Sequence, residues 1–159
     1  MATKAKSQKR FERILFPTDF SGSSEEAASY ALMLARQHGS ELFALHVMET
    51  PIETAGIHVP HTSYEQQDEE SLQAALDMLE RSSGRLFKGF DEVSSHAAAG
   101  APYKEIIRFA KKTKIDLIVM GASGKGGIDR FLFGSTTERV LRKTHCPVLV
   151  IPPQGSPAK

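Results

Sequence analysis

Short apolar runs alternate along the chain with longer segments whose apolar residues recur every three or four positions. The short runs are RILFP (13–17), ELFALHV (41–47), EVSSHAAAG (92–100), DLIVM (116–120) and PVLVI (147–151), and each reads as a strand. Between the first two, Ala27, Tyr30, Ala31 and Leu34 fall at i, i+3, i+4 and i+7 of a helix that Ser23 starts, with Glu25 and Glu26 behind it, and Gly39 stops. A long helix follows with Leu72, Ala75, Leu76, Leu79 and Leu86 on one stripe. Pro102 opens a third helix carrying Ile106, Ile107, Phe109 and Ala110, and a fourth runs from about Ser135 to Thr144. DLIVM is unbroken in its apolarity, as a strand buried on both faces requires. Strands alternating with helices predict an α/β fold with an open, twisted parallel sheet of five strands and helices on both faces. The connection from Met48 to Tyr64 is rich in proline and turn formers and long for a compact domain, which makes it a candidate lid or a disordered insertion.

Composition narrows this picture. At 159 residues and 40% hydrophobic content the chain is sized for one domain, placed at 11–152, with a basic flexible tail at 1–10 (MATKAKSQKR) and a second tail at 153–159. Twenty lysines and arginines against 19 acids give no global field to recruit nucleic acid or an anionic membrane, so any anion site is local. The single cysteine, Cys146, forms no internal disulfide, and no stretch has the length of a membrane span. Both features fit a protein of the cytoplasm.

The densest chemistry lies in MGASGKGGIDRFLFGSTTERV (120–140), which carries five glycines between the fourth strand and the fourth helix. That is the carboxyl end of a sheet strand, where open α/β sheets hold ligands, and glycine backbone with free amides at a helix start suits phosphate. A ligand-free turn uses the same residues. A P-loop counted from Gly121 reaches Gly126 but then meets Gly127 and Ile128 where lysine and a hydroxyl residue are required. A dinucleotide fingerprint counted from Gly124 meets Asp129 in place of its third glycine. Elsewhere, His145 and Cys146 lack a second pair at metal-ligand spacing and read as a packed thiol beside a polar histidine. His58 and His61 sit in the proline-containing loop, and His38, His46 and His96 have no visible partner for acid–base work. No serine has nucleophile-elbow spacing, and HAAAG stands where a receiver domain would carry its aspartate.

What remains is Gly121, two residues, Gly124, nine residues, then Gly134 and Ser135. This G-x2-G-x9-G-[ST] pattern resembles the nucleotide-binding signature of the universal stress protein family, in its ATP-binding branch. ILFPTDFS, AGAPYKEII, DLIVMGASGKGG and FGSTTERVLRKTHCPVLVI are similar to family blocks in the same order. The resemblance implies a Rossmann-like fold of the adenine nucleotide alpha hydrolase type. If the turns after strands one and four touch one ligand, those strands are neighbours, and right-handed crossovers favour the order 3-2-1-4-5.

By the same resemblance Pro17, Thr18 and Asp19 line the adenosine, with Asp19 accepting from base or ribose, although an aspartate there also serves as a turn cap. Val47 packs on the adenine, and Met120 and Gly121 close the ribose. Gly124, Gly134, Ser135 and Thr136 hold phosphates, which Lys125 and Arg130 neutralise. ATP is the implied cofactor, with Mg2+ or Mn2+, for which no protein ligand can be named. Bulky replacements of Gly121 and Gly124 are expected to abolish binding and spare the fold. Asp129 and Glu138 are the only carboxylates of the glycine stretch and lack telling spacing, so slow ATP hydrolysis is the most expected of it and no catalytic residue is assigned. The last strand, Val148 to Ile151, is an apolar edge whose pairing across a two-fold axis gives the homodimer that the resemblance also implies. Two functions follow: an ATP-responsive stress or signalling protein read by an unknown protein partner, or a dimeric partner-binding module whose pocket is vestigial or takes another adenylate.

Overall fold

The computed structural model describes residues 11–50, 64–122 and 133–153, with side chains of the second helix from residue 69 onward. Gly124, Lys125 and Arg130, and most of the connection after Met48, lie outside the described residues. Strands β1 (Arg13–Pro17), β2 (Glu41–Met48), β3 (Val93–Ala99), β4 (Leu117–Gly121) and β5 (Val148–Ile151) form one sheet. It is parallel throughout and ordered β3-β2-β1-β4-β5, as expected. Helices α1 (Gly22–His38), α2 (Tyr64–Leu86), α3 (Pro102–Lys112) and α4 (Ser135–Lys143) alternate with them.

Alternation within each strand sorts the core into two layers. Ile14 and Phe16 of β1 join Ala27, Ala31, Leu79 and Phe87 under α1 and α2, and Phe16 meets Phe87 edge to face at 5.6 Å. Leu15 points the other way, with Leu45, Ile106, Ala110, Ile118, Met120 and Val140 under α3 and α4. Each fully buried Leu, Ile or Phe side chain contributes about 1.5–3 kcal/mol of hydrophobic stabilisation, so both layers are needed to hold the sheet.

Helix ends agree with the sequence where one residue decides and differ where neighbours compete. Gly39 closes α1 in the left-handed conformation at φ 65°, which favours glycine, and Pro102 occupies the first turn of α3. The cap of α1, however, is Ser21 and not Ser23: the Ser21 side chain accepts the Ser24 N–H, placing Ser23 inside the first turn. Tyr30 is 40% exposed, and the buried stripe of α1 is Ser24, Ala27, Ala28, Ala31 and Ala35. Small residues let the helix lie close on the sheet, and a tyrosine does not fit that face. Asp116 precedes β4, where its carboxylate accepts the N–H groups of Glu12 and Arg13 at 2.9 and 3.1 Å.

Candidate functional site

β1 and β4 run side by side in parallel, Ile14 opposite Leu117 and Leu15 opposite Ile118, so the turns that follow them open at the same end of the sheet. The order of the strands reverses there, and the crevice between the two turns is where such sheets hold ligands.

The turn after β1 is tied down by its own polar groups. Pro17 is buried at the strand end. Thr18, 9% exposed, donates its N–H to the Leu45 carbonyl at 2.9 Å. Its hydroxyl accepts the Phe20 N–H at 3.0 Å and lies 3.0 Å from the Ser24 hydroxyl. Because the Ser24 hydroxyl donates to the Ser21 carbonyl at 2.8 Å, the Thr18 hydroxyl is the donor in that pair. An Asp19 carboxylate oxygen accepts the Ser21 N–H at 3.0 Å, the turn-cap geometry that such a residue adopts two positions before a donor. Phe20 holds φ at 61°, a conformation an aromatic residue adopts at a cost of about 1 kcal/mol or more, and its ring lies 4.5 Å from that of His46.

His46 has a partner that its sequence context does not reveal. Its Nδ1 is 2.8 Å from the Thr18 carbonyl, which can only accept, so Nδ1 carries the proton and the ring braces the turn from β2. His96 likewise lies 3.0 Å by Nε2 from the Ser94 hydroxyl and packs between Phe43 and Phe109, where burial pushes its pKa below the ordinary histidine value. Burial raises the pKa of the half-buried Cys146 thiol. Among the described residues no three His, Cys, Asp or Glu side chains are grouped to hold a metal ion.

The β4 side is built from bare backbone. A Cβ on Gly121 would stand 2.5 Å from the Ser23 hydroxyl and 2.7 Å from the Ser23 carbonyl, so the first turn of α1 rests directly on the end of β4. The Ser23 hydroxyl is buried there with no hydrogen-bond partner among the described residues. Beyond Gly121, the Ala122 N–H donates to Ile151 and its carbonyl accepts the Gly134 N–H, both at 2.8 Å, while the Thr137 hydroxyl donates to the Gly121 carbonyl at 3.0 Å. These bonds bring Gly121, Gly134, Ser135 and Thr136 to one place and draw together the two ends of the glycine stretch. Gly134 stands at the cap position of α4 without a side chain, so the first amides of that helix have no side-chain cap among the described residues. Val47 and Met120 belong to the core layer under α3 and α4, Met120 buried and Val47 half-buried at its rim. The orphaned Ser23 hydroxyl, the contact of Gly121 with α1 and the brace from His46 escape sequence reading, because each joins residues far apart in the chain.

The universal stress protein family model matches residues 10–152. Universal stress protein MJ0531 of Methanocaldococcus jannaschii is 34% identical over 142 residues, which are 89% of this chain and 82% of that one. The solved structure of MJ0577, from the same organism, is 29% identical with a TM-score of 0.78 and is covered in full by 93% of this chain. A universal stress protein solved in complex with cAMP, 21% identical with a TM-score of 0.63, shares the fold over 92% of this chain and 100% of its own. With the strand order, the crevice between β1 and β4 and the match along nearly its whole length, this chain belongs to the universal stress protein family.

Proposed function

We propose that the protein is an ATP-binding, nucleotide-responsive stress or signalling protein of the cytoplasm, with at most slow ATP hydrolysis, whose nucleotide-binding unit is residues 11–152. The observation that carries this reading is the junction of β4 with α4. Backbone and Thr137 hydrogen bonds bring Gly121 and Gly134 together at the switch point of the sheet, and the helix that starts there has no side-chain cap among the described residues. Amides at such a terminus attract phosphate. The solved relative that holds cAMP adds support for an adenine nucleotide.

In this reading Pro17, Thr18 and Asp19 line the adenosine, Val47 packs on the adenine at the rim of its core layer, and Met120 and Gly121 close the ribose. Gly124, Gly134, Ser135 and Thr136 hold the phosphates, and Lys125 and Arg130 neutralise them, with Mg2+ or Mn2+ accompanying the triphosphate. Charge-assisted hydrogen bonds contribute about 1.5–3 kcal/mol each, and a micromolar complex needs about 8 kcal/mol, so four or five such contacts suffice. The protein acts as a homodimer through Val148 to Ile151: this edge strand is half-buried over three of its four residues, and Leu141 of the adjoining helix is 38% exposed.

The test is to denature freshly purified protein, identify released nucleotide by mass spectrometry, and titrate the stripped protein with ATP and magnesium by calorimetry. Copurified ATP, or a micromolar Kd, is the expected result. No binding of any adenine nucleotide would overturn the reading in favour of a dimeric partner-binding module with a vestigial pocket, and turnover of about one per second or faster would make the protein an enzyme.

A further inference from the structure

The two faces of the sheet carry opposite charge, although the chain as a whole is nearly neutral. On α3 and α4 seven lysines and arginines stand against two glutamates. On α1 and the described side chains of α2, six carboxylates stand against three arginines. Both glutamates of the basic side are already engaged, Glu105 by Arg108 and Glu138 by Arg142. The cations beyond these pairs define the surface. The Arg139 guanidinium and the Lys143 ammonium lie 5.0 and 5.3 Å from the centre of the Tyr103 ring, so α4 delivers two positive charges to one aromatic ring at the start of α3. Neither is paired with a carboxylate among the described residues. Lys111 and Lys112 extend the charge to the other end of α3, both exposed. The ring attracts each cation while the two repel one another, and a bound anion relieves that repulsion.

We propose that the α3–α4 face docks a carboxylate-rich protein segment, with Arg139 and Lys143, held by Tyr103, as its anchor. A protein suits this surface better than nucleic acid. Glu105 and Glu138 interrupt the positive field that a continuous phosphate backbone would follow, and Tyr103 already carries its cations and offers no free stacking platform. The acidic opposite face repels the same partner and so selects one side of the molecule. This inference does not depend on nucleotide binding.

The test uses the full chain and a fluorescently labelled polyglutamate peptide about ten residues long, which spans ~33 Å extended, twice the ~17 Å length of α3. Anisotropy at low salt should show binding that weakens at least about tenfold in the double reversal R139E/K143E and fades as salt rises. Binding should persist in D77K/E80K on the acidic face and weaken in Tyr103→Ala but not in Tyr103→Phe. Circular dichroism of each variant separates loss of binding from loss of fold. Equal affinity of the wild type and R139E/K143E would overturn the proposal. So would tighter binding of a single-stranded DNA of equal charge, or of phosphatidylserine vesicles, lost in that same variant. Salt-sensitive self-association lost in both R139E/K143E and D77K/E80K, without peptide binding, would also overturn it and name the acidic face of a second copy as the occupant.

Discussion

Two helices begin at the crevice, and they begin in opposite ways. The start of α1 is closed by its own residues: Ser21 caps it, Asp19 holds the Ser21 N–H, and the Thr18 and Ser24 hydroxyls bond to each other. Among the described residues the start of α4 is open. Gly134 supplies no cap, Ser135 and Thr136 follow the cap position and do not precede it, and the Thr137 hydroxyl is turned inward onto the Gly121 carbonyl. Both segments are rich in hydroxyl residues, TDFSGSS in one and FGSTT in the other, so composition does not separate them. Position relative to the first turn does. A side-chain oxygen reaches the N2 and N3 amides of a helix best from the cap position, and a glycine there provides none.

The largest expected effect breaks the platform on which both starts rest. Gly121→Val places a side chain on the Ser23 hydroxyl and backbone; the hydroxyl can rotate away, but the carbonyl, 2.7 Å from the added Cβ, cannot move without displacing the first turn of α1. The loss should be about 3 kcal/mol, read as a lower urea midpoint at unchanged slope. Replacing Gly121 is therefore expected to cost stability as well as binding, and a variant at this position does not isolate nucleotide binding. Gly134 does. Its backbone, at φ −59° and ψ 154°, is open to any residue, so Gly134→Asp gives α4 the cap it lacks and sets a carboxylate where the phosphates are proposed. Stability should hold or rise by a few tenths of a kcal/mol while ATP binding weakens at least about tenfold. Unchanged affinity by calorimetry would remove α4 from the phosphate site.

The same contrast marks how far the sequence could be read. The alternation of strand and helix and the glycine positions were legible because each is written in local periodicity or fixed spacing, and the strand order followed from the family resemblance and the handedness of crossovers. The choice between Ser21 and Ser23 was not, since SGSS offers three residues of nearly equal capping strength, and a contact with Gly121 from the far half of the chain fixes which of them faces inward. Tyr30 was misplaced for a related reason. Periodicity finds an apolar stripe but not how closely the helix approaches the sheet, and close approach selects Ala28 and Ala35 over a tyrosine. His46 reads as unpartnered because its acceptor is a backbone carbonyl in the turn after β1, a group that every residue carries and no sequence pattern marks.

A smaller effect tests the closed start. Ser21→Ala removes the acceptor for the Ser24 N–H and should cost about 1 kcal/mol of stability by chemical denaturation, leaving α4 and its amides untouched. If ATP affinity fell as well, the two starts would be coupled through the contact of Ser23 with Gly121, and their contrast would describe one unit, not two.

The smallest stability effect carries the finest distinction. Ser23 stands in the closed helix but faces the open side, and its hydroxyl is buried without a partner among the described residues. An unpaired buried hydroxyl costs free energy, so Ser23→Ala should leave the unliganded protein as stable or slightly more so, the reverse of Ser21→Ala two positions earlier. If the hydroxyl is kept for the ligand, the same variant should bind ATP more weakly, by the roughly tenfold that one lost hydrogen bond is worth. Equal affinity with raised stability would make Ser23 a packing compromise at the junction of α1 and β4, with the nucleotide reached only from the α4 side.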